Sequence, residues 1–180
     1  MQIKITYRYT SRLSMRIVKN GDVHVSAPIG LSRKKVLAFI NDHREWIVQA
    51  RKATQSKLEA RAKFYAQLPL DARKQTIEAK AKLMSIVTPM VEHYANTMGV
   101  SPQSITIKKM TSRWGQCDVK NRSICFSVYL LLLPDWCQEH VVVHELCHLL
   151  EPSHSARFYA LMSQYYPRWR EARRHTRQLL

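Results

Sequence analysis

The chain has 180 residues, 29 Lys and Arg against 13 Asp and Glu, a formal net charge of +16 and 46% hydrophobic residues. That length and apolar content suit one catalytic domain with a modest extension. No apolar run approaches bilayer length, the longest lying at 128–133, which argues against a helical membrane span.

At the N-terminus Ile3, Ile5 and Tyr7 alternate with Lys4, Thr6 and Arg8, the pattern of a strand and not of a signal peptide. Residues 2–9, 12–18 and 23–27 read as three strands in a hairpin or meander, with a sharp turn at Asn20-Gly21. After Pro28 and Gly30, Val36, Leu37, Phe39, Ile40, Trp46 and Ile47 recur at helical spacing, and an Ala-, Lys- and Arg-rich stretch carries helix to about Ala66. Leu68-Pro69-Leu70-Asp71 is a break. Residues 72–98 read as helix again, with Ile77, Leu83, Ile86, Val87 and Val91 inward and Pro89 as a kink or interruption. Ile105 and Ile107 mark one strand, and Ile124, Phe126 and Val128 another. Asp135 and Gln138, after Pro134, read as the capping box of a further helix that stays apolar on nearly every side until Pro152. Helices at about 155–166 and 168–178 close the chain. The class is α+β. Residues 1–70 hold N-terminal strands and helices and 71–180 a catalytic region, the whole forming one compact unit.

The chemistry concentrates in the apolar helix, where 144–148 reads His-Glu-Leu-Cys-His. Positions four apart on a helix differ by about 40°, so His144 and His148 project from one face and can hold one Zn²⁺. Glu145 follows the first histidine, where its carboxylate reaches a water on the ion and not the ion itself. Two imidazoles holding zinc, an acidified water and a glutamate taking its proton are the parts of a zinc hydrolase. The plainer reading, a core helix with satisfied histidines, must account for each of these polar groups separately.

A third ligand is required, and His154 ranks first. Its spacing from His148 equals that of the longer metzincin pattern, although Glu151 stands where that pattern has glycine, so the turn must differ. Glu171 ranks second and Glu151 is adjacent. His140, one turn before His144, would put three ligands in a straight row that cannot surround an ion, so it belongs beside the site or on the surface.

The runs TSRWGQC at 111–117, ICFS at 124–127, VVHELCH at 142–148 and HSARF at 154–158 resemble the YgjP-like metallopeptidase family, itself related to the SprT-like and WLM zinc peptidases. At the N-terminal end YRYTSR at 7–12, Gly21 with Val23, Ala27-Pro28 and Trp46-Ile47 match too, and the match is weakest from about 55 to 100. The resemblance implies a small zincin-like fold, with His144, His148 and His154 on zinc and Glu145 catalytic. The resemblance does not imply a substrate; a peptide or protein substrate is what the metallopeptidase reading expects.

Other residues invite a role. Arg113 and Trp114 follow the first of the later strands, so Arg113 can hold a substrate carboxylate or an oxyanion and Trp114 can wall a pocket. A core tryptophan and a paired arginine are equally good readings. Tyr159, Tyr165 and Tyr166 can offer hydroxyls to a reacting carbonyl, and Phe158 and Met162 are packing. Cys117, Cys125, Cys137 and Cys147 form no C-x-x-C pair and read as reduced thiols of a cytoplasmic protein, Cys147 as a buried packer.

The charge excess favours an anionic partner, including nucleic acid; Arg168, Arg170, Arg173, Arg174 and Arg177 are the best candidates for phosphate contact, with a solvated helix face serving solubility as the equal alternative. The resemblance to SprT-like peptidases, which work on DNA-bound substrates, points the same way. The expected function is therefore a zinc-dependent metallopeptidase. Two alternatives are a zinc-dependent nucleotide phosphohydrolase acting as a nucleoside triphosphate pyrophosphatase, and a nucleic-acid-associated module with a structural metal. No Gly-rich phosphate cradle supports the first. A structural zinc would fill four positions with protein groups, whereas three ligands and an idle glutamate leave one open.

Overall fold

The computed structural model describes residues 1–179. Among the described residues six α-helices and two three-stranded sheets make a mixed α+β chain, divided into two compact units, Met1–Lys63 and Phe64–Leu180. No helix among the described residues is long and apolar enough to cross a membrane.

In the first unit β1 (Ile3–Arg8), β2 (Ser14–Ile17) and β3 (Val23–Pro28) are ordered β1-β3-β2. The expected hairpin is β2–β3, turned through Gly21 at φ +80°, a left-handed conformation that suits glycine. The strands do not form a meander, because β1 pairs parallel to β3, Ile3 opposite Val23. Val23, Val25 and Ala27 alternate inward and pack against Val36, Ile40 and Ile47. The long helix expected here is two helices, α1 (Arg33–Asp42) and α2 (Arg44–Ala66). His43 leaves helical geometry between them, and its Nδ1–H donates to the Phe39 carbonyl at 2.8 Å, satisfying a helix-end acceptor.

The second unit begins its main core with α3 (Arg73–Met98), whose Ala79, Leu83, Val87, Val91, Ala95 and Met98 form one buried stripe. Ile77 is on the opposite face, 56% exposed. The helix runs through Pro89, an exposed position, and ends at Gly99 in the left-handed region at φ +67°. Then β4 (Ser104–Lys108), β5 (Gly115–Asp118) and β6 (Ser123–Ser127) are ordered β4-β6-β5, with β4 parallel and β5 antiparallel to β6. β5 was not legible as a strand, and it lies at the sheet edge. β6 stops one residue before Val128, where the Ser127 hydroxyl accepts from the Tyr129 N–H (3.3 Å) and starts a 3-10 turn over Val128–Leu132.

The apolar helix is α4 (Asp135–Cys147), buried from Cys137 to Cys147 except at Glu139 and His144, which are half-buried. Pro134 and not Asp135 is its N-cap, and the Gln138 amide donates to the Leu133 carbonyl at 2.8 Å instead of closing a capping box. The helix gives way to tighter turns at His148, before Pro152 is reached. The Ser155 hydroxyl caps α5 (Ala156–Tyr165), and α6 (Trp169–Gln178) packs back on α4.

Core filling sets a first expectation. Leu83→Ala should lower stability by about 2–5 kcal/mol through lost burial and a residual cavity, whereas Ile77→Ala should stay within about 0.5 kcal/mol. Urea denaturation of the two variants beside the parent protein measures both, and similar losses would mean that the α3 stripe is misassigned.

Candidate metal centre and active-site cleft

His144 and Glu145 occupy the last turn of α4, His148 caps it, and His154 returns on the segment before α5. The turn that replaces the expected glycine begins with Leu149 and Leu150 N–H groups bonding back into the helix and with Glu151 N–H donating to the Cys147 carbonyl at 2.9 Å. Glu151 then accepts from the Ser153 hydroxyl at 2.8 Å, fixing the loop that carries His154. One ring nitrogen from each of His144, His148 and His154 lies within 4.8 Å of the others, a group able to hold a metal ion. Phe158, fully buried, presses its ring on all three imidazoles with centroid separations of 4.9, 4.7 and 4.7 Å.

The residues fit a cation. The Nδ1–H of His148 donates to the Glu151 carbonyl (3.3 Å), which leaves Nε2 with its lone pair. Nε2 of His144 and Nε2 of His154 face each other at 3.0 Å, which two neutral rings sustain only with a proton or a cation between them. Burial holds the imidazoles neutral, the state that ligates: His144 is pushed down to about 2 by burial and by the neighbouring histidines, and His148 and His154 are lowered, chiefly by burial. An all-imidazole set suits zinc among the common divalent ions.

Glu145 is 5% exposed, and no hydrogen bond reaches its carboxylate among the described residues. Burial pushes it up to about 8, and the nearby Arg113 charge only partly opposes this. Its place is made by Gly115 at the start of β5: a Cβ there would lie 2.5 Å from Oε1 and 2.6 Å from Cγ of Glu145. Only glycine admits that approach. Glu145 opens on a cavity of about 350 Å³ that also meets His144 and His154.

The other sequence candidates separate clearly. Trp114 serves both of its readings, since it lines the cavity, is 5% exposed and donates from its indole N–H to the Thr176 carbonyl at 3.0 Å. Arg113 lines the cavity from the exposed side and donates to Gln116 Oε1 at 3.2 Å. Glu171 stays out of the cluster, bound to Arg168 at 3.2 Å. His140 is buried on the cavity wall with Nδ1 unpartnered, and burial lowers it to about 4. The Tyr166 hydroxyl donates to the Trp136 carbonyl at 2.6 Å, while Tyr159 lines the cavity, stacked on Trp169 with centroids 5.0 Å apart. The α6 wall of the cleft, with Trp169, Arg173, Thr176 and Arg177, had no sequence signal beyond its charge.

The raised carboxyl has a measurable consequence. Between its ordinary 4.5 and about 8, metal-free folded protein keeps on Glu145 a proton that the unfolded chain has released. The group therefore costs nothing below 4.5, costs more as pH rises through this window, and costs its full amount above it. In chelator-treated protein the stability advantage of Glu145→Gln over the parent should widen from pH 4.5 to pH 8. The histidines affect both proteins alike, so urea denaturation across that range isolates the glutamate. A constant gap would show a carboxyl that titrates normally.

No curated protein matches the chain. Among solved structures, the metallopeptidase zymogen of Pyrococcus abyssi abylysin is similar at a TM-score of 0.46 and 21% identity, covering 50% of this chain and 90% of that one. A family model described as the YgjP-like metallopeptidase domain matches residues 11–82 and 66–179. The chain belongs to the YgjP-like metallopeptidase family.

Proposed function

We propose that His144, His148 and His154 hold a zinc ion and that Glu145 is the general base and then the general acid of peptide-bond hydrolysis. The observation that carries this reading is the meeting of three imidazole nitrogens within 4.8 Å of one another, two of them, on His144 and His154, sharing a single cavity with the unpartnered buried carboxyl of Glu145. Zinc on these nitrogens supplies Lewis acidity, which polarises a carbonyl and acidifies water. Glu145 takes the proton of the attacking water on its carboxylate and delivers it to the leaving nitrogen. Its apolar surroundings strengthen its basicity, and Gly115 holds it in place. Arg113 and Trp114 bind the substrate from the side of β5, whose unpaired edge can receive an extended peptide as an added strand. A metal serving the fold alone would leave Glu145 buried for no return, and family membership favours a peptide or protein over a nucleotide. The second unit carries the catalysis, and four free thiols suit a reducing, cytoplasmic setting.

Two measurements test the assignment. Metal analysis should find about one zinc per chain, reduced sharply in His144→Ala, His148→Ala and His154→Ala. Full zinc retention by His154→Ala would remove it from the ligand set. Glu145→Gln should keep its zinc and lose about 10²–10⁴-fold in the rate of peptide hydrolysis. Loss of zinc from that variant would make Glu145 a ligand and refute its role as base.

A further inference from the structure

The cleft has one acidic side chain on its wall, Glu145, and three arginines, Arg113, Arg173 and Arg177. Arg173 and Arg177 are four residues apart on α6 and so share one helical face. Among the described residues the ion pairs are Lys74–Glu78 and Arg168–Glu171, so neither of these arginines meets a carboxylate of the chain. Both also line an adjoining hollow of about 440 Å³ with Arg170 and Arg174, which continues the cationic wall outward from the cleft.

Arg173 is held, not loose. Its guanidinium carbon lies 5.4 Å from the centre of the Tyr159 ring, and Tyr159 is itself stacked on Trp169 with an interplanar angle of 20°. A guanidinium on an aromatic face keeps its N–H edges free for a planar, doubly accepting anion. Like charges one turn apart repel, so this pair works against the helix unless an anion joins it. Arg173 and Arg177 share a wall with His144 and Glu145.

We propose that the cleft selects peptides bearing a carboxylate, with Arg173 and Arg177 as the pair that binds it. This rests on the peptidase reading of the same site and names the substrate class that reading leaves open. The carboxylate can be an Asp or Glu side chain or a chain terminus, and matched peptides tell them apart. The confined cleft favours such a peptide over nucleic acid, whose backbone needs an extended cationic track.

The test is binding to zinc-loaded Glu145→Gln protein, which separates recognition from turnover. Fluorescent peptides identical except for Glu or Gln, each with an amidated or a free C-terminus, are titrated by anisotropy, together with an oligothymidylate. At least one carboxylate-bearing peptide should bind roughly tenfold tighter than its neutral partner, and Arg173→Gln/Arg177→Gln should erase most of that preference. Arg173→Lys/Arg177→Lys, which keeps the charge and loses the fork, should restore part of it and shows that the fold survives substitution here. Equal or absent binding of the four peptides overturns the proposal. So does a preference that persists in the Gln variant, or oligothymidylate binding tighter than every peptide and lost in that variant. Hydrolysis of the same peptides by the parent protein reports on the peptidase reading alone: an intact carboxylate preference without cleavage supports the selection and sinks the hydrolysis.

Discussion

A buried carboxyl with no hydrogen-bond partner is costly for a fold to hold, and α4 holds one in its last turn, among apolar neighbours. Much of the second unit is arranged around that fact. The start of β5 is glycine because Glu145 occupies the space of its side chain. The sheet edge and the helix are thereby brought into van der Waals contact, and the cavity into which Glu145 opens lies beside that contact. α3 and α6 pack on α4 and complete its burial, so the helix is a central pillar carrying polar groups at one end.

The imidazoles obey the same rule of enforced neutrality. Solvent is kept from His144 by α4 itself and by Phe158, whose ring contacts each of the three histidines. His148 is oriented by a carbonyl of the turn that follows it, and His154 by a loop stapled through Glu151 and Ser153. A single short segment from 144 to 158 therefore contains the nitrogens, the carboxylate, the orienting acceptor and the apolar backing. The rest of the cleft comes from far along the chain: Trp114 reaches the Thr176 carbonyl and thereby ties the strand that positions Glu145 to the helix opposite.

How much of this the sequence disclosed follows from the range of the interactions involved. His144, Glu145 and His148 were legible because helical spacing is local, and His154 because it follows His148 by only six positions. β5 was hidden by its composition, since Gly115-Gln-Cys-Asp118 has no β-branched or aromatic residue and no alternation. The break at His43 was hidden because apolar spacing continues across it, and the fit of a side chain to a carbonyl decides the geometry there. Ile77 matched the helical period and still faces solvent, because the buried stripe of α3 follows Ala79 and Leu83 instead. The arginines of α6 look like any solvated helix face in sequence; their place on the cleft is a property of the packing against α4 and α5.

The shortage of internal ion pairs reaches further than the cleft. With 29 Lys and Arg in the chain and two exposed pairs among the described residues, the folded protein carries a large uncompensated self-repulsion. Dissolved salt screens such repulsion over about 8–10 Å at moderate ionic strength and so favours the compact state. The same screening loosens any anion held by arginines at the surface. Ionic strength therefore acts on this molecule with two signs, firming the scaffold while it slackens the grip of the cleft.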